Sequence, residues 1–202
     1  RSYGEQPNIA AGSGNYGLLR ANLYYNIPQN CTIHSAKLHL FTFQTRTFSI
    51  EYQLKELLTD CGQYKFWNEN SSLCNPAQNG QATFNKAKAF VDAPVYWASG
   101  ESFSDADIGV NVGDAFTIPA NTPVGTEYVV DITSFIGEFL SKTSTKSLLF
   151  TAVGGTSPLS MCSQQHSTED YRWYIEVDYE GPHPSSVTVS PSSVKVAFNK
   201  TR

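Results

Sequence analysis

Methionine occurs once in 202 residues, charged side chains make up only 16 %, and long hydrophobic runs are missing. A membrane-spanning helix needs about 20 consecutive apolar residues. The longest candidate, Ser147 to Val153, falls far short of that. Charge of one sign is also lacking: 14 basic residues stand against 18 acidic ones. The basic surface that nucleic-acid binding requires is therefore not expected. No two of the four cysteines (Cys31, Cys61, Cys74, Cys162) stand at CxxC spacing, which argues against a zinc site. There is no GxSxG elbow, and the four histidines are scattered without flanking motifs. Nothing here marks a Ser–His–Asp hydrolase. The chain opens without an initiator methionine or a signal peptide, so it reads as an excised piece of a longer protein.

What is plentiful is Thr, Ser, Asn, Tyr and Phe, a mixture that suits strands and turns better than helices. A chain of this length buries a real core and fits one β-sandwich with a little left over. Strands announce themselves by alternation. Phe48, Ile50, Tyr52 and Leu54 alternate with polar residues. Ala36, Leu38 and Leu40 alternate with Lys37, His39 and Phe41. Tyr171, Trp173, Ile175, Val177 and Tyr179 alternate with Arg172, Tyr174, Glu176 and Asp178. Each should turn one face to a core and the other to solvent or ligand. Ser147 to Val153 is apolar on both faces and predicts a central strand. Ile132, Phe135, Ile136, Phe139 and Leu140 form one helical stripe, with Asp131 or Thr133 as the cap. From Cys61 to Asn121 the chain reads as long loops with short strands. Two prolines in Gly181-Pro182-His183-Pro184 set a boundary, so residues 1–180 are expected as one module and 181–202 as linker and first strands of another.

Four cysteines allow three pairings, or four free thiols in a reducing compartment. The favoured pairing is Cys61 with Cys74, closing a polar loop, which leaves Cys31 with Cys162 as a longer clasp. The sequons at Asn30, Asn70 and Asn199 carry little weight. His34 and His39 lie five apart on a strand and should face opposite ways. Glu101, Asp105, Asp107 and Asp114 are the carboxylates worth weighing. As a glycosidase pair they would need a set separation that sequence cannot supply. As hard oxygen donors, Asp105, Asp107 and Asp114 would suit a structural Ca²⁺. Sugar recognition calls for aromatic rings beside polar groups, and two places offer them. On the strands, Arg20, Asn22 and Tyr24 share one face while Lys37, His39 and Phe41 share another. If those strands were neighbours, they would make a platform with a basic bias suited to acidic glycans. In the loops, Tyr64, Phe66, Trp67, Tyr96 and Trp97 are concentrated. Trp67 and Trp97 read equally well as core or surface, whereas Trp173 alternates with core residues.

Leu18-Leu19-Arg20-Ala21-Asn22-Leu23, then Ile27-Pro28, then Ile33-His34-Ser35-Ala36-Lys37-Leu38-His39-Leu40 resembles the opening of DNRLRE (disaggregatase-related) domains. Val130-Asp131-Ile132-Thr133 with its helix, the Ser147–Val153 strand and the Tyr171–Tyr179 strand are similar to later parts of that family. Val187-Thr188-Val189-Ser190-Pro191 resembles the start of a bacterial Ig-like domain. The family's usual Phe-Asp is replaced here by Ala21-Asn22. The resemblance implies a jelly-roll-type β-sandwich in a secreted or cell-surface bacterial protein. It further implies a non-catalytic carbohydrate-binding module, monomeric within a multidomain chain. The alternative is a structural or adhesive spacer that binds a host or surface protein, or nothing. Fold alone does not choose between them.

Overall fold

A computed structural model describes residues 7–12, 16–21, 23–58, 105–141, 147–154 and 159–181. Among these residues the elements are β1 (Asn8–Ala11), β2 (Gly17–Leu19), β3 (Thr32–Phe41), β4 (Ile50–Leu57), β5 (Ile108–Ile118), β6 (Glu127–Asp131), α1 (Ile136–Leu140), β7 (Ser147–Ala152), β8 (Leu159–Cys162) and β9 (Tyr174–Glu180). Every strand pairing is antiparallel. One sheet runs β2-β7-β4-β5, another β6-β3-β9, and β1 pairs with β8. The protein is an all-β sandwich, with one short α-helix among the described residues.

The core lies where the period-2 pattern predicts. From the three-stranded sheet come Ala36, Leu38, Leu40, Val130, Ile175 and Val177; the four-stranded sheet supplies Tyr52, Leu54, Val112, Leu148 and Phe150. The Tyr52 and Phe150 rings stack at 4.5 Å. β7 is central, between β2 and β4, which is why its residues are buried on both faces. Trp173 is buried as the alternation demanded.

The helical stripe is real but the helix is short. Ile132, Phe135, Ile136 and Phe139 are all buried, yet only five residues are helical. Asp131 and Thr133 do not cap α1. Asp131 instead accepts from the Thr133 N–H at 2.8 Å, and Thr133 Oγ1 accepts from the Ala36 N–H at 2.9 Å. These bonds hold the turn before the helix against β3.

The largest departure from the sequence reading is β5, eleven residues long in a region expected to be loops with short strands. Gly109, Asn111, Gly113 and Asp114 hide its strand signal, since such residues are depleted in strands. The pairing with β4 jumps from Tyr52↔Phe116 to Leu54↔Val112, a bulge that includes Gly113 at φ +66°. The buried Gln53 amide donates to the carbonyls of Val112 and Gly113 at 3.3 and 3.1 Å, supplying what the broken ladder leaves unpaired. A Cβ at position 113 would overlap the Asp131 carbonyl oxygen, so glycine lets β5 close against β6.

The expected clasp between Cys31 and Cys162 does not form; both thiols are free. Cys31 precedes β3, while Cys162 Sγ lies 3.5 Å from the carbonyl oxygen of Thr42, just past the strand's other end. A ten-residue strand at about 3.3 Å per residue keeps them roughly 30 Å apart. A disulfide needs Cα atoms within about 7 Å. Cys61 and Cys74 lie outside the described residues, as does the segment past the expected boundary.

Candidate functional site

The candidate surface is the outer face of β6-β3-β9. Alternation along β3 sends Ser35, Lys37, His39 and Phe41 outward, as the sequence pattern indicated. Register then fixes their neighbours: Lys37 lies between Asp131 and Glu176, His39 between Val129 and Tyr174, and Phe41 beside Glu127. Directly opposed residues sit close enough to interact.

At the centre, His39 is 93 % buried although its strand face points outward. Its ring stacks on Tyr174 with centroids 4.2 Å apart and planes 9° apart. The Nδ1–H donates to Glu127 Oε1 at 2.7 Å, and the Tyr174 hydroxyl donates to the same oxygen at 3.3 Å. On the other side, His39 Nε2 lies 3.6 Å from Glu176 Oε2 and makes no hydrogen bond. Burial, and then the charge of Glu127 and its hydrogen bond, push the Tyr174 phenol above its ordinary range. The phenol therefore stays a donor.

A line of rings continues from this centre. Phe41 lies 6.3 Å from Tyr174 and 6.2 Å from Tyr171. Tyr171 lies 5.7 Å from His166, which meets Phe43 edge-on at 5.8 Å. Aromatic pairs at these spacings attract beyond simple area burial. Tyr171, His166 and Tyr174 are half-buried, so part of each is open to solvent. The segment that carries them is tied to itself: Arg172 Nε–H donates to the His166 carbonyl at 2.9 Å, and Arg172 pairs with Glu169 at 3.3 Å. The Gln164 amide also donates to the Trp173 carbonyl. Beneath Tyr171 lies Gly125, at φ +79°, where a Cβ would overlap the tyrosine ring.

The sign of the face differs from expectation. Glu127, Asp131, Glu176, Asp178 and Glu180 point outward with Lys37 set among them. Hydrogen bonds from the Thr133 side chain and backbone N–H, then the Lys37 charge, hold the Asp131 carboxyl below its usual range. The surface is acidic rather than basic. The imagined platform joining Arg20, Asn22 and Tyr24 to Lys37 and His39 is not assembled. β2 ends at Leu19 and pairs with β7, in the other sheet. Tyr24 sits in a turn, edge-on to Tyr25 at 4.9 Å. Asn22, with Tyr64, Phe66, Trp67, Tyr96, Trp97 and Glu101, lies outside the described residues.

His34 and His39 do not face opposite ways. A bulge between Ile33 and Ser35 turns His34 toward Glu180 at 3.6 Å, on the same side of β9 as Glu176. Five residues of strand still separate the two rings by about 16 Å. Asp105, Asp107 and Asp114 do not converge. Asp107 is buried in a 3-10 turn, Asp105 is exposed beside it, and Asp114 lies roughly 20 Å further along β5. Among the described residues no three His, Cys, Asp or Glu side chains gather as a metal site. No described helix is long and apolar enough to cross a membrane.

Tyr174, Tyr171, Glu127 and Glu176 were not singled out from sequence. The signal for two of them was present, because the β9 alternation sets Tyr174 and Glu176 opposite the core residues. What sequence lacked was the register that puts them beside His39. Neither family models nor curated proteins match the chain.

Proposed function

We propose that this chain is a non-catalytic carbohydrate-binding module of the DNRLRE kind, acting on an extracellular glycan as part of a secreted or surface protein. The observation that carries the proposal is the outer face of β6-β3-β9, where the part-open rings of Tyr174 and Tyr171 lie beside half-exposed carboxylates. Pyranose rings present apolar C–H faces that stack on aromatic side chains, and their hydroxyls donate to carboxylates. Hydrogen bonds to Glu127 hold both His39 and Tyr174 in place before a ligand arrives, which lowers the ordering cost of binding. Single-site affinity on so open a face is weak, and repetition along a multidomain chain raises it.

The test is a glycan array followed by calorimetry on the best hit, with Tyr174→Ala and Tyr171→Ala measured beside the wild type. Each substitution should weaken binding by about two- to tenfold, as for stacked aromatic contacts worth roughly 0.5–1.5 kcal/mol. Circular dichroism of the variants should stay that of the wild type. Binding that survives both substitutions would move the site elsewhere, with Trp67 and Trp97 next in line. No binding to any glycan would return the chain to the structural or adhesive reading.

A further inference from the structure

We infer that the outer face of β6-β3-β9 selects glycans bearing free, protonated amino groups and rejects uronic-acid polymers. This rests on the carbohydrate-binding proposal and concerns the same surface. Three observations lead to it, and they concern different atoms.

The first is the balance of outward groups. Five carboxylates (Glu127, Asp131, Glu176, Asp178, Glu180) face the same way, and the lysine among them, Lys37, has Asp131 and Glu176 as cross-strand partners. His34 reaches Glu180 at the far end. An incoming carboxylate meets like charge here, whereas an ammonium group meets acceptors.

The second is how the acceptor oxygens are used. Both hydrogen bonds onto Glu127, from His39 and from Tyr174, fall on Oε1. Oε2 remains for another donor on a side chain that is 43 % exposed. Glu176, 40 % exposed, meets His39 Nε2 at the long distance of 3.6 Å and makes no shorter side-chain contact among the described residues.

The third is His39 itself. It is buried beyond nine-tenths, yet its Nε2 has no hydrogen-bond partner and is aimed at Glu176. Buried polar atoms are ordinarily satisfied. With Nδ1–H given to Glu127, Nε2 is an acceptor turned toward an acceptor, so it gives Glu176 no hydrogen bond, and a ligand ammonium supplies Glu176 with the donor it lacks while using two or three acceptors for itself. The stacked Tyr174 ring adds the attraction of its π-face for a cation.

The experiment uses the full chain and three oligomers of equal length: glucosamine, N-acetylglucosamine and galacturonate, titrated calorimetrically at mildly acidic pH. Glucosamine oligomers should bind about tenfold tighter than the acetylated form, the worth of one charge-assisted hydrogen bond. Their affinity should fall with added salt. Glu176→Gln and Glu127→Gln should each reduce that preference toward parity, lowering the affinity of the glucosamine oligomer more than that of the acetylated one. A circular dichroism melt confirms that the variants fold. Equal or tighter binding of the acetylated or galacturonate oligomer would overturn the charge selection and leave the glycan site standing. Sugar binding by none of the three, with none on the array, would overturn both.

Discussion

Gly125 offers the most direct link between backbone geometry and the ring-lined face. It sits at φ +79°, in the left-handed region, with its N–H donating to the Thr42 carbonyl at 2.8 Å. Alanine there costs about 1–2 kcal/mol from the unfavourable conformation alone. A Cβ would also overlap the Tyr171 ring, at its Cζ and Cε1 atoms. Tyr171 must then move off Phe41 and His166, forfeiting ring contacts worth about 0.5–1.5 kcal/mol each. Gly125→Ala should therefore destabilise the fold by roughly 2–4 kcal/mol, read as a lower urea midpoint at unchanged m. The two contributions separate in a double-mutant cycle. With Tyr171→Ala in place the overlap is gone, and Gly125→Ala should cost only the conformational part. A coupling energy of about 1–2 kcal/mol is expected. Additive effects, or a single-variant cost below about 0.5 kcal/mol, would refute the claim that Gly125 is required by the ring above it.

Three further outcomes follow from buried or fixed groups elsewhere. Thr42 is fully buried, and its hydroxyl donates to the Pro123 carbonyl at 2.6 Å while accepting from the Thr126 N–H at 3.0 Å. Thr42→Val should cost about 1–3 kcal/mol in chemical denaturation, because it removes two hydrogen bonds worth about 0.5–1.5 kcal/mol each, although the Pro123 carbonyl keeps the Thr126 hydroxyl at 2.8 Å; an unchanged midpoint would count against that bond pair. Burial raises the Cys162 thiol from near 9 to about 11. A folded value above the unfolded one means stability is intact below about pH 9 and is lost as pH climbs through about 11, by up to roughly 3 kcal/mol. In the native protein, alkylation and peptide mapping at mildly alkaline pH should find Cys31 modified and Cys162 protected. For Asp131 the sign reverses: its folded value is depressed, so its contribution is present above the unfolded value near 3.8 and disappears as pH falls through the lower folded one. Asp131→Asn should flatten the acid limb of stability against pH, and an unaltered limb would refute the assignment.

Much of the sandwich was legible because alternation is a local property. The inward set at the entry to β9 and along it (Trp173, then Ile175 and Val177) and on β3 (Ala36, Leu38, Leu40) can be read from spacing, and each is buried. Of the stripe Ile132, Phe135, Ile136, Phe139 and Leu140, the first four are buried and Leu140 is half-buried, although the helix itself covers only Ile136–Leu140. β5 escaped notice because its glycines and polar residues serve a bulge whose unpaired carbonyls are met by Gln53, a residue on a different strand. No window within residues 108–118 contains that information.

The site was half-legible for a related reason. Alternation places His39 and Lys37 on the non-core face of β3, but the basic platform depended on the segment near Arg20 lying beside that strand. Strands adjacent in sequence are often adjacent in space, though not always. Here the true partners of β3 are β6 and β9, 88 and 135 residues away at the level of His39 with Glu127 and Tyr174. The exchange changes chemistry as well as geometry: it replaces Arg20 by Glu127 and Glu176, so a surface expected to attract acids becomes one that repels them. Binding specificity on a sheet face is thus set by pairing register. The same outward His39 would belong to a basic platform or an acidic one according to which strands lie beside it.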